Sequence, residues 1–487
     1  MHLLPIVLVI TASALGASAL AIPALWFLAP LALTLFFYVL WRRTGSYQEA
    51  LLYGFVFGII TASAGVVWFW DAFPLDWMNI ESRHIQWGVL ATTWGIVSLS
   101  LSLGPALAAL GIWKMRENTF AAIVAALFWV LAEEGRMWGY ALLTWGAQSL
   151  MGAHFSMAAL GYALTENPYL LQIAAFGGLA PLNAAVGFMG AGLALSVYAL
   201  ATRRVTTPAL IGSFVLCVVL ALPLVAPQEI SSRPEPLRVA LITTSFPIED
   251  AEKAPETLRV LLGDAAARSP DIVVMPEGFG VRKAYPDEPE RQEALSRLFG
   301  ATERLILSAD TVQDEYSMRV RLFYDSTTEG ELERYDKMFL IPLGEYSPYF
   351  ASVLYAPFQD KGVESHLSKV QNRLERGDGV TTARYHGEIV GALLCSDSLS
   401  PSLYRAQARE GATLLANLSN AAWFRGSHLV HARLVQLGRV HAVANRAYFV
   451  QAGNLSPSFA LAPDGRIVAE SAWGTESVLT VEIPSSP

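Results

Sequence analysis

Charge is almost missing from the first 227 residues of this 487-residue chain. They hold 8 of its 34 basic and 8 of its 42 acidic residues, so residues 228–487 carry the whole net charge of −8. A stretch so poor in charge cannot make an ordinary water-facing surface. In lipid, its backbone groups must satisfy one another, which an α-helix does within one segment. About 20 apolar residues cross the hydrocarbon core, and seven runs meet that length: 3–21, 24–41, 50–70, 88–112, 119–140, 170–200 and 209–226. Ala17-Ser18-Ala19 would suit signal-peptide cleavage, but the first run lacks a basic leader and a second follows just past Pro23. It therefore reads as a span.

Residues 1–227 thus form a multispan α-helical membrane domain, and residues 228–487 a second domain of ordinary composition, each large enough to bury its own core. Pro227 to Pro236 reads as the linker, rich in Pro and Ser. The acidic balance excludes nucleic acid as a main partner. Basic residues fall in alternate loops: Arg42-Arg43, Lys114 with Arg116, and Arg203-Arg204. The positive-inside rule puts those loops and the N-terminus in the cytoplasm. With seven spans, the second domain then lies outside the membrane.

That second domain alternates short apolar runs with helical stretches. Strands are expected at 238–246, 271–275, 304–311, 318–325, 388–394, 413–418 and 448–455, and helices at 250–267, 289–300, 399–410 and 427–445. Asp464-Gly465 marks a hairpin turn. This order predicts a layered α/β domain whose reactive groups collect at strand ends.

Three such groups stand out. Cys395 ends the apolar run Gly391-Ala-Leu-Leu-Cys, Glu277 ends Met275-Pro-Glu, and Lys337 sits in Tyr335-Asp-Lys-Met. A thiol, a carboxylate and an ammonium at neighbouring strand ends suit acyl transfer through a thioester. The other cysteine, Cys217, lies in an apolar segment and reads as inert. His428, His431 and His441 share one predicted helix but match no zinc spacing, and neither a metal nor a cofactor is expected.

The motifs Pro276-Glu277, Tyr335-x-Lys337-x-x-Leu340-x-Pro342-x-Gly344-Glu345-Tyr346-x-Pro348, Cys395, and Leu418-Ser-Asn420-x-x-Trp423-Phe424 resemble the nitrilase, or carbon–nitrogen hydrolase, superfamily. Joined to a membrane domain, they resemble its apolipoprotein N-acyltransferase branch. Glu133-x-x-Arg136-x-Trp138 is similar to a further pattern of that branch, and reads here as an ion pair at the outer end of the fifth span. The resemblance implies a four-layer α-β-β-α sandwich in the periplasm of a bacterial inner-membrane protein. It also implies transfer of an acyl chain from phospholipid, through a thioester, to a lipoprotein or other amine acceptor. Glu277 would then be the general base, Cys395 the nucleophile, and Lys337 with the Ser396 N–H the oxyanion donors. Glu345 would orient Lys337, and Trp423 and Phe424 would line the acyl entrance.

Three departures bear on the acceptor. Ser396-Asp397 stands where the family carries Tyr-Glu, Asn420-Ala421 stands for Asn-Asp, and the chain ends without the family's closing membrane helix. They make the chain similar also to the TraB-type conjugal-transfer branch. A non-catalytic component of that kind, or a membrane-tethered amidase, are the alternative readings.

Overall fold

The computed structural model describes residues 3–78, 80–226, 236–247, 252–313, 317–354 and 374–484. Most of the expected linker lies outside them. The chain forms two compact units. The first comprises 1–69, 88–143 and 151–228, the second 70–87, 144–150 and 229–487. The division therefore differs from a single cut at 227: two short segments of the apolar half belong to the second unit.

In the first unit the apolar runs are helical. Among the described residues, five helices are long and apolar enough to cross a membrane, at Leu3–Ala21, Tyr47–Ala72, Arg83–Lys114, Leu179–Thr202 and Thr207–Val225. Leu28–Arg42 is apolar but shorter. Ala121–Leu143 is long enough but carries Glu133, Glu134 and Arg136. The run expected at 170–200 becomes a helix only at Leu179, because Gly177 and Gly178 both take positive φ and break the short turns before it.

Close packing here depends on small residues, as it does wherever lipid rather than water surrounds helices. A Cβ on Gly54 would meet Ala109 at 2.5 Å and the Pro105 carbonyl at 2.6 Å. Glu133 and Arg136 lie one helical turn apart and are both about 1% exposed, buried rather than at the span's outer end. Arg136 Nε is 3.7 Å from Glu133, Nη1 donates to the Ala158 carbonyl at 2.9 Å, and Nη2 to Thr61 at 3.4 Å. The basic loops gather at one end of the unit. Arg42 stacks 3.7 Å over the Tyr198 ring, and Trp113, beside Lys114, donates to the Thr44 carbonyl at 3.0 Å.

The second unit holds two six-stranded sheets. One runs β12-β1-β2-β3-β4-β5, with β1 Leu237–Thr243, β2 Ile272–Glu277, β3 Leu305–Gln313, β4 Met318–Ser326, β5 Gly330–Asp336 and β12 Ser477–Ile483. The other runs β11-β10-β9-β8-β7-β6, with β6 Thr382–Tyr385, β7 Glu388–Leu394, β8 Leu414–Asn420, β9 Tyr448–Asn454, β10 Phe459–Leu461 and β11 Ile467–Glu470. Each sheet has a parallel centre, β1-β2-β3 in the first and β7-β8-β9 in the second, so its loops return over helices.

Alternation sorts the side chains. Ala240, Ile242, Val273, Met275 and Ile306 pack outward against Leu258, Leu261 and Leu262 of the Ala254–Ala267 helix. The inner face meets the other sheet, where Thr243 Oγ1 donates to Ser458 at 2.7 Å and Tyr324 Oη receives the Ala392 N–H at 2.9 Å. The Leu403–Arg409 and His428–Asn445 helices cover the second sheet's outer face. The result is four layers, α-β-β-α. Asp464-Gly465 turns between β10 and β11 as expected.

Candidate active site

Glu277, Lys337, Glu345 and Cys395 come together at one end of the sheets, the first two and Cys395 at strand ends and Glu345 on the loop that follows Lys337. β2 stops at Glu277 because Gly278, at φ +76°, turns the chain. Lys337 follows β5 directly. Its Nζ donates to Glu277 at 3.0 Å and to Glu345 at 2.7 Å. The second oxygen of Glu345 accepts the Ile341 N–H at 2.7 Å, so the carboxylate is fixed by the loop that carries it.

Cys395 follows β7 and opens the 3-10 turn Cys395–Leu399 at φ +42°. A side chain with positive φ costs backbone energy that surrounding bonds must offset. Those bonds come largely from Asp397, which is fully buried. One of its oxygens accepts the Tyr335 hydroxyl at 2.8 Å and the Leu394 N–H at 3.2 Å. The other accepts the Met338 and Phe339 N–H groups at 3.3 and 2.7 Å. The thiol's turn is thereby tied to residues on both sides of Lys337. Ser396 adds a bond from its hydroxyl to the Phe339 carbonyl at 2.6 Å.

The sulfur lies 3.8 Å from the Asn420 carbonyl and 3.9 Å from the Ser419 hydroxyl, and the Glu277 charge acts on the thiol electrostatically. Asn420 also donates to the Glu277 carbonyl at 3.3 Å. Asn454 donates to Asn420 at 2.9 Å and accepts from Thr244 and the Phe246 N–H, both at 2.9 Å. This chain of amides bolts the ends of β1, β2, β8 and β9 together.

The electrostatics follow from enclosure. Burial pushes the Glu277 carboxyl above its ordinary value, Lys337 pulls it back in part, and Glu345 pushes it up again. Burial alone would lower Lys337, but Glu277 and Glu345 on either side hold it well above the usual lysine range. Burial and then the Glu277 charge push the Cys395 thiol up to about 12, with Lys337 acting against them. Burial likewise lifts Asp397 to about 6. The resting state is thus a protonated thiol beside an ammonium and two carboxyls. Such a thiol is no nucleophile until a base takes its proton.

The remaining expected residues fall differently. Trp423 stands edge-on to Trp77, with centroids 4.9 Å apart, and lines a cavity of about 170 Å³. Phe424 ends the same 3-10 turn but does not line that cavity. The histidines have separate partners. His431 bonds Ser456 and Glu470 at 3.0 and 2.6 Å, His441 bonds the Ser398 carbonyl at 2.8 Å, and His428 packs on Trp473. Sequence reasoning did not single out Tyr335 or Asn454. Tyr335 had a signal, standing two residues before Lys337 in the quoted motif; a buried strand-end Asn such as Asn454 has none.

Comparison with known proteins agrees with this arrangement. The carbon–nitrogen hydrolase model matches residues 238–486, and the apolipoprotein N-acyltransferase N-terminal domain model matches residues 12–192. The apolipoprotein N-acyltransferase of Geobacter metallireducens is 26% identical over 460 residues, covering 90% of this chain and 81% of its own. That of Rickettsia prowazekii is 21% identical over 442 residues, covering 88% and 82%. The two-sheet unit, its thiol, carboxylate and ammonium at adjoining strand ends, and a family model spanning half the sequence lead to one assignment: the chain belongs to the carbon–nitrogen hydrolase family, joined to the N-terminal domain of the apolipoprotein N-acyltransferases.

Proposed function

We propose that this chain is a membrane N-acyltransferase that moves an acyl chain from a phospholipid, through a Cys395 thioester, to the amine of a lipoprotein. The observation that carries the reading is the Lys337 ammonium bonded to Glu277 at 3.0 Å and Glu345 at 2.7 Å, with Asn420 bonded to the Glu277 carbonyl through its side chain and 3.8 Å from the Cys395 sulfur through its own carbonyl.

In the first half-reaction Glu277 takes the thiol proton as sulfur attacks the ester carbonyl. The tetrahedral oxygen becomes negative. Lys337 Nζ and the Ser396 N–H donate to it, a role in which one donor is typically worth about 3 kcal/mol. Collapse breaks the C–O bond, and Glu277 returns the proton to the departing lysophospholipid hydroxyl. In the second half an amine attacks the thioester, Glu277 accepts its proton, and the thiolate leaves and is reprotonated. Glu345 keeps Lys337 in place through both steps. Trp423 belongs to the entrance, and Phe424 backs it.

The reading places this unit in the periplasm. The gathering of the Arg42-Arg43, Lys114 and Arg203-Arg204 loops supports a shared cytoplasmic face. The test is acyl transfer from phospholipid vesicles to a diacylglyceryl lipopeptide by the full-length protein. Product that depends on Cys395, Glu277 and Lys337 supports the reading. Release of free fatty acid at the same rate with and without the lipopeptide would make the chain a hydrolase instead.

A further inference from the structure

The cavity of about 170 Å³ at the Ala422–Phe424 turn has walls of Trp77, Trp423, Pro74, Pro247 and Leu455, and one charged lining residue, Arg425. Its floor starts at Ala422, whose N–H donates to Asn420 Oδ1 at 3.1 Å. The Asn420 carbonyl is the group 3.8 Å from Cys395 Sγ. The cavity and the reacting sulfur thus share one turn of chain.

Arg425 takes φ +51° at the end of the 3-10 turn Ala422–Phe424. One guanidinium N–H donates to the Pro74 carbonyl at 3.3 Å. Among the described residues, no carboxylate forms a salt bridge with it. The acids nearby bond other groups: Asp71 accepts from Ser427 at 2.5 Å, and Asp76, which feels the Arg425 charge without bonding it, pairs with Arg83 at 2.8 Å and Gln86 at 3.0 Å. A guanidinium fixed at one corner and open at the others presents a fork that matches a phosphate oxyanion.

We propose that this cavity receives the phosphate of the acyl-donor lipid, with Arg425 bonding its oxygens and the Trp77-Trp423 pair packing on the glycerol side. The assignment rests on the thioester reading and adds a specificity residue to it. Charge decides which substrate occupies the cavity. The donor head group is anionic at phosphate, whereas the acceptor brings an amine that Arg425 would repel when protonated.

The experiment follows Cys395 acylation by intact mass in the full-length protein, with two donors: phosphatidylglycerol vesicles and p-nitrophenyl palmitate, which has no phosphate. Arg425→Gln is expected to slow acylation by phospholipid about tenfold and to change acylation by the nitrophenyl ester less than twofold. Arg425→Lys is expected to recover most of the phospholipid rate. An unchanged phospholipid rate overturns the proposal, and so does equal loss on both donors, which would give Arg425 a folding role. Normal acylation with slowed transfer to a lipopeptide overturns it in favour of an acceptor site. Labelling of the wild type by the ester but not by phospholipid removes this proposal and the phospholipid donor, and leaves the Cys395 thioester standing. Labelling by neither removes the thioester reading beneath it.

Discussion

Both units bury charge, and they do it in opposite ways. In the helical unit, Glu133 and Arg136 come from one helix, three residues apart, and meet at 3.7 Å. The arginine spends its shortest bond, 2.9 Å, on the Ala158 carbonyl. In the two-sheet unit, Lys337 meets carboxylates delivered by other segments at 3.0 and 2.7 Å. The first arrangement is local and joins one helix to the chain around it. The second is assembled from separate segments of the chain, at the end of the sheets where Cys395 also lies. Burying an ion pair is rarely the cheapest way to gain stability. The first pair is a structural pin, and the second gives that desolvation a chemical use.

Substitutions can break this contrast. The largest effect belongs to Lys337. Lys337→Met is expected to lower the rate of Cys395 acylation at least 10²- to 10³-fold, the typical loss on removing an oxyanion donor, as measured by single-turnover labelling. Breaking a buried pair also costs about 3–5 kcal/mol, so the rate must be normalised to folded protein. Arg136→Met should show the reverse pattern: a loss of about 3–5 kcal/mol in unfolding experiments, with the acylation rate per folded molecule unchanged within twofold. Pairing it with Glu133→Leu should restore most of that stability. Equal damage to rate and stability in both variants would erase the distinction.

Asp397→Asn should come next. It keeps the shape but weakens two of four bonds, with a loss of about 1.5–3 kcal/mol in whatever the bonds hold. Because they tie the Cys395 turn to the residues beside Lys337, about ten- to hundredfold of acylation rate should go, with stability changing less. The smallest effect is in pH. Glu277 must be ionised to act, and its carboxyl is raised. The acylation rate should therefore fall as pH drops through a value above the ordinary carboxylate range. Cys217→Ser, on an exposed helix position, should leave that profile unmoved.

How much of this was legible in the sequence follows from the same contrast. Lipid leaves a strong mark, so the apolar runs gave helices close to their expected limits. The exception has a local cause, Gly177-Gly178 delaying one helix to Leu179, while the run expected at 119–140 is the Ala121–Leu143 helix despite its charges. Strands buried on both faces were readable as apolar runs, β7 to the residue. The missed strands, β5, β6, β10, β11 and β12, lie at or near sheet edges; β10 is only three residues long, and the others carry polar or charged residues, as Glu331, Glu333 and Arg334 in β5. Glu277 and Cys395 were legible because each ends an apolar run, and Lys337 because of the motif around it. Their supports were not. Asp397 looked like a departure at the acceptor side, and only tertiary structure shows its two oxygens reaching across sixty residues of chain to Met338, Phe339 and Tyr335.

One measurement reaches the centre of the account: the intact mass of the wild-type protein after incubation with phospholipid vesicles and no acceptor. A single acyl adduct on Cys395, cleaved by neutral hydroxylamine and missing from Cys395→Ser, is the expected result. No adduct, or one that survives hydroxylamine or persists in Cys395→Ser, would contradict it.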